Sequence, residues 1–391
     1  MAFIMIFTTD LYQGGVAESS FKLAKLLKHK HRILVVTYDS LPISKCYSGE
    51  FDHIALNCPL SKGFRKNTSL SLFFSIRRVL YLSLAILKFL RLKVEYRPDI
   101  VFSFTYIPNI INILTKKFAR SSVVISERQD PRYDLSSQCL MPIIVKFFYK
   151  YSDYLHVNSR EMVEAVNEFY KLQKSKVIRI DNFFFLNEIK TRALDTQSKN
   201  NQKGQFRFVS VNRLADQKGI QHQIKLIASL RKKNFNCSLQ IIGDGYLYEK
   251  MHEMAKSEAL DDVIIFEGHL EDPIPVMSSA DFFLFTSLWE SFGNVLIEAM
   301  ALGLPVISTS CSSGPKEIID TGKYALSIGT FPTDGSLGSE GLYDELADKI
   351  IEFCIGLRGV FVERSLIRAE DYSAEVARPK FEGLISRCLQ H

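Results

Sequence analysis

Short apolar runs alternate with longer amphipathic segments along both halves of the chain, a pattern typical of parallel strands joined by helices. In the first half, the predicted strands are 3–7, 32–37, 99–104 and 122–126, and the predicted helices are 18–28 and 141–151. In the second half, the predicted strands are 206–211, 238–242, 263–266, 282–285 and 305–308, and the predicted helices are 221–232, 247–258, 293–302 and 342–357. The pattern predicts an α/β protein with two doubly wound, Rossmann-like domains. Ligands of such sheets bind outside the carboxyl ends of the strands, so we expect the two domains to face a common cleft.

A polar stretch without apolar periodicity separates the two halves. It spans 187–204 and is rich in Gln, Ser, Lys and Asn from residue 196 onward. We interpret this stretch as a linker. The interpretation places an N-terminal domain at 1–186, a C-terminal domain at 205–372 and a last helix within 373–391.

The composition is that of an ordinary globular protein. The chain has 391 residues, of which 47% are hydrophobic and 24% charged, enough for two domains. Its seven cysteines are scattered without a Cys-x-x-Cys pair, which favours a reducing cytoplasm over a disulfide framework or a zinc site. The N-terminal sequence MAFIMIF lacks the basic leader of a signal peptide, so we expect a first strand there. No apolar run reaches the ~18 residues of a membrane span.

Charge is unevenly distributed along the chain. Residues 1–200 hold 30 Lys/Arg and 17 Asp/Glu, whereas residues 201–391 hold 19 and 26. The formal total of +6, without zinc-finger spacing or a basic stripe interleaved with aromatic residues, argues against nucleic acid as a partner. Segment 62–97 holds nine Lys/Arg and one acid, Glu95, among Leu, Phe and Ile. It is either a helix with a solvated basic face or an amphipathic segment on an anionic membrane surface, and both interpretations stay open.

An isolated carboxylate gives the strongest chemical signal. Glu298 is the only charged residue of 294–306, so it needs a partner if the helix there is buried. The alternatives are an internal salt bridge, a partly solvated helix face, or a ligand. Gly293, just before the helix, permits close backbone approach, and the helix start can present N–H groups to a phosphate. Glu290 lies eight residues earlier, up to ~12 Å away at ~1.5 Å per residue. That spacing suits a sugar and a ribose on either side of a diphosphate.

Two cations and two glycine turns follow predicted strands. Arg213 and Lys218 come after the first strand of the second half, and their charges suit a diphosphate, although loop cations are often simply solvated. Gly243 and Gly245 form a Gly-x-Gly turn after the next strand, and a Gly-Gly pair ending at Gly15 follows the first strand of the chain. Each of these turns is either a tight turn or a phosphate-binding loop.

Taken together, the motifs of the second half resemble the second domain of retaining glycosyltransferases of family 4, which have the GT-B fold. The resemblance covers most of residues 206–320 and rests on Asn212-Arg213-Leu, Lys218-Gly219, Gly243-Asp-Gly245, Phe266-Glu-Gly268 and Glu290-x7-Glu298. The first half adds two motifs similar to those of bacterial enzymes that build O-antigen, capsule or lipid-linked oligosaccharides. They are Gly14-Gly15-Val-Ala-Glu18 and Ser126-Glu127-Arg128-x-x-Pro131.

The resemblance implies a role for each matched residue. Arg213, Lys218 and Glu290 would be catalytic: the two cations would bind the donor diphosphate and stabilise the leaving group, and Glu290 would hold hydroxyls of the transferred sugar. The other donor-binding residues implied are Gly15, Asn212, Gly243, Gly245, Gly268, His269, Phe292, Gly293, Asn294, Val295 and Glu298, the last on the ribose hydroxyls. Glu127 and Arg128 are the acceptor-side candidates. Many relatives carry His where this chain has Arg128, and Gly where it has Asn212.

The implied activity is that of a hexosyltransferase. The resemblance implies transfer of a hexose or N-acetylhexosamine from a UDP-sugar, with retention of configuration, to a growing polyprenyl-linked saccharide of the bacterial surface, such as O-antigen in lipopolysaccharide biosynthesis. No metal cofactor is expected, and the last helix is expected to cross back to the first domain. The implied location is the cytoplasm, peripheral on the cytoplasmic face of the inner membrane.

Three alternatives stay open. A GT-B sugar-nucleotide epimerase would share the cleft, although the Glu290–Glu298 pair with two cations favours a transferase. A catalytically silent sugar-nucleotide-binding partner would bind UDP without turnover, and a membrane-associated scaffold would leave Glu298 unexplained. The expected partners are therefore a nucleotide sugar, a saccharide or lipid-linked saccharide acceptor and an anionic membrane surface.

Overall fold

The computed structural model describes residues 1–11, 15–39, 49–58, 72–135, 140–194 and 204–390, with the backbone alone at 72–78, 133 and 134. These residues divide into two compact units. Unit 1 comprises Met1–Asn182 and Ala377–His391, and unit 2 comprises Phe183–Val376. Of the sequence features above, Gly14, residues 62–71 of the basic segment and residues 195–203 of the expected linker lie outside the described residues.

Unit 1 contains strands and helices in alternation. Its strands are β1 (Phe3–Thr8), β2 (Arg32–Thr37), β3 (Asp52–Ala55), β4 (Ile100–Phe104), β5 (Ser122–Ser126), β6 (Tyr154–Val157) and β7 (Val177–Arg179). Its helices are α1 (Gly15–Leu27), α2 (Leu72–Tyr96), α3 (Tyr106–Leu114), α4 (Pro131–Asp134), α5 (Met141–Tyr149) and α6 (Arg160–Tyr170). The described strands form a seven-stranded sheet in the order β3-β2-β1-β4-β5-β6-β7, and every pair is parallel.

The central strands of unit 1 are apolar because helices cover the sheet on both faces. Every residue of β4 is buried, as are all residues of β1 after Phe3. A strand buried on both faces has a continuous apolar sequence rather than an alternating one. This explains why 3–7 and 99–104 could be predicted as strands.

Helices α2, α3 and α5 lie on the same face of this sheet. Val101 and Val123 are register partners in neighbouring parallel strands, so their side chains point to one face. Val101 shares a core cluster with Phe89 of α2, and Val123 shares one with Tyr149 of α5. Residues of α3 belong to both clusters, and α3 contacts both α2 and α5.

Most of the last helix, α15 (Ala374–Leu389), belongs to unit 1. It lies on the opposite face of the sheet, where the ring of Phe381 meets that of Phe102 with 6.4 Å between centroids. The Ser122 hydroxyl donates to the Cys388 carbonyl oxygen at 2.8 Å, and the Arg378 guanidinium donates to the Leu26 carbonyl oxygen at 3.2 Å. Apolar contacts and side-chain hydrogen bonds to carbonyl oxygens thus hold the C-terminal helix on the sheet of unit 1.

The described part of the basic segment, within α2, does not place all its cations in solvent. The Lys88 ammonium donates to the Leu56 carbonyl oxygen at 2.7 Å. Lys93 is completely buried and donates to the Asn112 carbonyl oxygen at 3.2 Å. Burial lowers the pKa of the Lys93 amine to about 7. Arg91 is exposed, so the helix has a mixed outer face rather than the uniformly basic one that the residue count indicates.

Unit 2 repeats the doubly wound design. Its strands are β8 (Phe206–Val211), β9 (Cys237–Ile242), β10 (Ile264–Gly268), β11 (Phe282–Phe285), β12 (Val306–Ser308) and β13 (Leu326–Ser327). Its helices are α7 (Leu186–Ala193), α8 (Ile220–Lys232), α9 (Tyr248–Ser257), α10 (Ile274–Ser279), α11 (Asn294–Ala301), α12 (Gly314–Ile319), α13 (Glu340–Glu352) and α14 (Arg358–Glu370). The described strands form a six-stranded parallel sheet in the order β10-β9-β8-β11-β12-β13.

The stretch expected to be a linker, 187–204, instead begins as helix α7 of unit 2. Leu186 and Ile189 are buried in the core cluster that contains Phe283 and Met300. The apolar pattern does not predict this helix, because only two of its residues, three positions apart, are buried apolar residues and most of the others are polar. The chain passes from unit 1 to unit 2 between Asn182 and Phe183, before the expected boundary at 186.

None of the helices within the described ranges combines the length and apolar character that a membrane span requires.

Candidate functional site

The candidate site of unit 2 lies where the strand order of its sheet reverses. The chain runs from β8 outward to β9 and β10, and then returns to place β11 on the other side of β8. The chain that leaves the carboxyl end of β8 and the chain that leaves that of β11 therefore continue on opposite sides of the sheet. A crevice forms at this point, and open α/β sheets bind their ligands there. Arg213 and Lys218 lie in the loop after β8, and Glu290 lies in the loop after β11.

Hydrogen bonds join these two loops directly. The Leu288 amide donates to the Gln217 carbonyl oxygen at 2.8 Å, and the Gln217 side-chain amide donates to the Trp289 carbonyl oxygen at 2.8 Å. The Thr286 hydroxyl lies 3.1 Å from the Lys218 carbonyl oxygen and 3.0 Å from that of Gly219. Backbone partners 70 residues apart thus hold the loops in one arrangement.

Gly219 makes this close approach possible. Its φ of 59° lies in the left-handed region, and a Cβ atom there would stand 2.4 Å from the Thr286 carbonyl oxygen. Any other residue would push the two loops apart. Gly219 also caps α8, so the short turn carrying Lys218 is fixed at both ends.

The loops bring Lys218 and Glu290 into an ion pair. The Lys218 ammonium donates to one carboxylate oxygen of Glu290, and the Ser287 hydroxyl donates to the same oxygen at 3.2 Å. Only 18% of the Lys218 side chain and 11% of the Glu290 side chain are exposed, so the pair is largely shielded from water. A shielded charge whose partner is removed needs a replacement, which is what a ligand of matching charge can supply.

Arg213 is arranged differently from Lys218. Its side chain is exposed, and no hydrogen bond or ion pair holds the guanidinium within the described residues. Next to it the Tyr246 hydroxyl donates to the Asp216 carboxylate, and this bond raises the pKa of Tyr246. Arg213 is therefore a cation at the loop surface, ready for an anion from solvent.

The glycines after β9 serve close packing of the backbone. A Cβ atom on Gly243 would stand 1.8 Å from the Asn212 carbonyl oxygen, and one on Gly245 would stand 2.2 Å from the Leu214 carbonyl oxygen. The Asn212 side chain, predicted to bind the donor, is buried and donates to the Ser210 hydroxyl at 2.7 Å. Asn212, Gly243 and Gly245 thus shape the loop that carries Arg213.

Helix α11 begins directly after the Glu290 loop. Gly293, with φ 89°, precedes its first residue, and Phe292 is buried with its ring 5.5 Å from that of Tyr372. The sequence is apolar on nearly every side of this helix, and a partly solvated face is one of the open alternatives for Glu298. Asn294, Val295 and Glu298 are partly exposed on one face. Of the predicted residues on this segment, these three side chains and the backbone at Gly293 are accessible to a ligand.

The remaining donor-side predictions fall on the edge strand β10. Gly268, with φ 71°, ends this strand, and its carbonyl oxygen accepts the Gly243 amide at 2.7 Å. His269 follows and is exposed. The hydrogen bond connects this loop to the Gly243 turn, and through it to the loop of Asn212.

Sequence reasoning missed several residues around Glu290. Ser287 donates to Glu290 of the ion pair, and Gln217 joins the two loops that carry the pair. Thr309 belongs to none of the sequence motifs, but its hydroxyl donates to the Ser287 carbonyl oxygen at 2.8 Å. Burial and then the nearby charge of Glu290 raise the pKa of the Cys311 thiol to about 12. The available signal was positional, because Ser287 and Thr309 each directly follow a buried strand by one or two residues.

At the carboxyl edge of the unit 1 sheet, Glu127 is a buried acid. Its carboxylate accepts from the hydroxyls of Tyr149 at 3.3 Å and Tyr170 at 3.1 Å, and from the Arg128 amide at 3.2 Å. Burial and then the Glu127 charge raise the pKa of Tyr170 well above its usual range. The carboxylate of Glu127 is thus engaged in the interior.

Arg128 lies beside this network. Its guanidinium donates to the Asn182 side-chain oxygen and lies over the Phe104 ring, 5.3 Å from the centroid. Burial lowers the pKa of Arg128 to about 9, and the charge of Glu127 opposes that shift. Its Nε atom has no hydrogen-bond partner within the described residues. A cation held this way favours a further anionic or polar partner.

Two threonines mark the point where the strand order of unit 1 reverses, between β1 and β4. The Thr9 and Thr105 hydroxyls are 2.9 Å apart, and Thr105 has a φ of 71°, which is unfavourable for a β-branched residue. Gly15 begins α1, and a Cβ atom there would meet no described residue within 4 Å. No motif indicated the threonines, whereas the open surroundings of Gly15 suit the predicted close approach of a ligand.

Among the described residues, no group of three or more His, Cys, Asp or Glu side chains could hold a metal ion.

Comparisons with known proteins agree with this geometry. Residues 191–355 match the model of the family described as glycosyl transferases group 1. The chain is 31% identical over 255 residues to an uncharacterized glycosyltransferase, MJ1059, of Methanocaldococcus jannaschii, a match that covers 62% of each chain.

A second relative is the N-acetylgalactosamine-N,N'-diacetylbacillosaminyl-diphospho-undecaprenol 4-alpha-N-acetylgalactosaminyltransferase of Campylobacter jejuni. It is 27% identical over 258 residues, which cover 65% of this chain and 69% of the relative. In structure, the chain is similar to Anabaena Alr3699/HepE in complex with UDP, with a TM-score of 0.77 at 15% identity over 98% of this chain and 99% of the other. The structural similarity confirms the predicted GT-B fold.

Proposed function

We propose, from the match of residues 191–355 to the family described as glycosyl transferases group 1, that the chain transfers a hexose or N-acetylhexosamine from a UDP-sugar to a saccharide acceptor with retention of configuration. The acceptor is a growing, polyprenyl-linked saccharide of the bacterial surface, such as O-antigen or capsule. The enzyme acts in the cytoplasm, peripherally on the inner membrane. Its relatives include glycosyltransferases of lipopolysaccharide and capsule biosynthesis.

The observation that carries this proposal is the shielded Lys218–Glu290 pair beside the unpaired Arg213. A diphosphate in the crevice gains two cations at once, and its oxygens can replace Glu290 as the partner of Lys218. Glu290 is then released to accept hydrogen bonds from the hydroxyls of the transferred sugar. The same ion pair thus keeps both side chains in position before the donor arrives.

Departure of the nucleoside diphosphate places negative charge on its phosphates, and this charge is what the site stabilises. Arg213 and Lys218 supply positive charge, and the N–H groups at the start of α11, after Gly293, add the positive end of a helix. Glu298, further along the exposed face of α11, holds the ribose hydroxyls. No metal ion is required, because these groups provide the counter-charge themselves.

The acceptor side rests on unit 1. Arg128 is a partly buried cation whose Nε has no partner among the described residues, which supports contact with an anionic or hydroxyl-rich acceptor. The Campylobacter relative is named for a saccharide carried on diphospho-undecaprenol, and this supports a polyprenyl-linked acceptor. Glu127 fixes the loop of Arg128 through Tyr149 and Tyr170.

The test is to screen UDP-, GDP- and ADP-sugars for protection of the full chain against thermal unfolding, and then to follow a labelled sugar from the protecting donor. A ligand at 100 times its Kd stabilises the folded state by about 2.7 kcal/mol. We expect a UDP-sugar to protect and its sugar to appear on a lipid-linked acceptor.

Each alternative gives a different result in this experiment. An altered sugar configuration on the intact donor would indicate an epimerase, and protection by UDP without turnover on any lipid-linked acceptor would indicate a silent binding partner. Replacing Lys218 by Ala should abolish the protection. Lys225→Ala is the matched control, because Lys225 forms a partly buried ion pair with Glu258 elsewhere in the same unit.

A further inference from the structure

Helix α5 of unit 1 is apolar on two sides. Val145 and Tyr149 are buried against the sheet. On the outer side, exposed apolar residues recur at helical spacing from one residue before the helix to two residues after it: Leu140, Ile143, Ile144, Phe147 and Tyr151. The outer side of a helix in a soluble protein is ordinarily polar, so this second stripe indicates a surface that is covered when the protein works.

Helix α2 carries a second outer stripe of the same kind. Leu80, Leu84, Leu87 and Val94 are exposed at helical spacing, and Arg91 occupies the position between the last two. Its inner side packs Ala85 and Phe89 against the sheet. We call the exposed residues of α2 and α5 together the apolar stripes.

The apolar stripes lie on one face of the unit. Helices α2 and α5 cover the same side of the sheet with α3 between them. Leu114, the last residue of α3, is exposed, and so is Phe118, four residues further along the chain. A flat partner that meets this face can therefore touch both stripes.

Cations accompany the stripes. Lys146 and Lys150 are exposed on α5 and just after it, Lys117 and Arg120 are exposed after α3, and Arg91 is exposed on α2. The exposed acid of the described part of α2 is Glu95, and α5 contains no acid. Beyond α5, helix α6 exposes Glu164 and Glu168, so the attraction for an anionic surface ends at α6.

We propose that the apolar stripes dock unit 1 on an anionic lipid bilayer, with the outer residues of α5 inserted among the lipid headgroups. Apolar side chains that enter the interface, with lysines beside them at the depth of the phosphates, are the two contributions that hold an interfacial helix on a membrane. The proposal deepens the proposed function, on which it rests for the lipid-linked acceptor. The proposed membrane-binding surface is therefore the apolar stripes, rather than the whole of the basic segment 62–97.

The net charge of unit 1 favours a bilayer over a second copy of the chain as the partner that covers the apolar stripes. Unit 1 holds 30 Lys/Arg and 16 Asp/Glu, whereas unit 2 holds 19 and 27. Two copies that met through the stripes would bring like charges together, while an anionic bilayer complements them. On a bilayer, lipid phosphates would neutralise the cations near the stripes. Between two copies of the chain, the same cations would lose water without gaining a partner of opposite charge.

The experiment measures sedimentation of the full chain with vesicles of phosphatidylglycerol and phosphatidylcholine in equal parts, and with phosphatidylcholine alone. Ile143→Glu combined with Phe147→Glu should lower the affinity for the mixed vesicles by about tenfold or more, because both apolar insertion and charge attraction are lost. Lys146→Gln with Lys150→Gln should weaken binding at low salt more than at high salt, since salt screens their attraction.

The matched control is Ile367→Glu with Val360→Glu on α14 of unit 2. Ile367 is 61% exposed and Ile143 is 66% exposed, so the two double variants remove similar apolar surface and add the same charge. The control should bind the mixed vesicles like the unchanged protein. Thermal unfolding of both variants, with and without UDP-sugar, verifies that each is folded and separates this proposal from that of the donor site.

Three results would overturn the proposal. The first is that the unchanged protein does not bind the mixed vesicles at low salt. The second is that the α5 variant binds them as well as the α14 variant does. The third is that the α5 variant converts a dimer to a monomer in sedimentation velocity while vesicle binding is unchanged, which would assign the stripes to a second copy of the chain.

Discussion

The two units share one architecture but use the carboxyl edges of their sheets in opposite ways. In unit 2 the charged groups lie in loops at the surface of the crevice, and backbone hydrogen bonds and glycines hold those loops. In unit 1 the acid at the corresponding edge, Glu127, is buried beneath tyrosine hydroxyls. Unit 1 carries its accessible features elsewhere, on the outer sides of two helices.

The difference lies in how each unit holds its charged groups. Each unit has a doubly wound sheet, and each sheet has a crevice where its strand order reverses. The two crevices differ in whether their charged side chains are paired with neighbours that a ligand can replace. Lys218 and Glu290 are each other's partners, so a charged ligand can exchange with either one. Glu127 accepts from the hydroxyls of Tyr149 and Tyr170, which are buried with it.

The largest effect expected is on transfer when a cation of the unit 2 crevice is removed. Arg213→Ala or Lys218→Ala should lower the rate of sugar transfer on the order of 10²-fold or more, because each removes charge that stabilises the departing diphosphate. Folding should be retained, since Arg213 is exposed and the Lys218 loop is held by its backbone. Steady-state transfer of labelled sugar measures the effect. Full activity in either variant would remove that residue from the site.

The second prediction compares the two acids directly. Glu290→Gln should reduce transfer about tenfold or more with a smaller loss of stability than at Glu127, because the Gln amide oxygen can still accept from the Lys218 ammonium and the Ser287 hydroxyl. Glu127→Gln should instead destabilise the fold by about 1–3 kcal/mol, because the amide replaces an acceptor of three hydrogen bonds with a group that is half donor. Urea unfolding and transfer assays on both variants separate the outcomes. A stability loss at Glu290 with none at Glu127 would reverse the comparison.

The third prediction concerns pH and applies to both units alike. Burial lowers the pKa of His156 in unit 1 to about 3 and that of His222 in unit 2 to about 4. The unfolded chain binds protons at these groups near pH 6.5, whereas the folded chain does not. Stability is therefore complete above pH 6.5, and each histidine should cost about 2 kcal/mol of it by pH 5.

Urea unfolding at pH 7.5 and pH 5 tests this dependence. His156→Gln and His222→Gln should each flatten the pH dependence, although both lower stability at pH 7.5 by removing buried contacts to Ile180 and Tyr343. An unchanged slope in a variant would mean that its histidine is not buried in the neutral form.

The smallest effect is expected from metal removal. Neither crevice brings three metal-ligating side chains together among the described residues. In the proposed function, the cations of unit 2 supply the counter-charge for phosphate. EDTA should therefore leave the rate of transfer within experimental error. Transfer that stops in EDTA and resumes only with added Mg²⁺ or Mn²⁺ would contradict the assignment of that role to Arg213 and Lys218.

Much of the fold could be predicted because its central strands are locally encoded. The predicted strands at 32–37, 122–126, 206–211 and 282–285 coincide with β2, β5, β8 and β11. Other elements escaped prediction, among them the helices α3 and α6, strand β7 with three residues and helix α7 with two apolar anchors. Their stability comes from the cores they join, and a local pattern does not contain that information.

The sequence by itself determined the residue types at the candidate site, the turns in which they lie and the alternation that makes two parallel sheets. Only the tertiary structure decided their partners. Lys218 meets Glu290 across 72 residues, Asn212 turns inward to Ser210, and Lys93 is buried although its neighbours suggest a solvated helix. It also decided which apolar side of α5 faces the sheet and which faces outward. The physical reason is that hydrogen bonds, ion pairs and burial depend on neighbours brought together by the sheet, whereas periodicity reports only on neighbours along the chain.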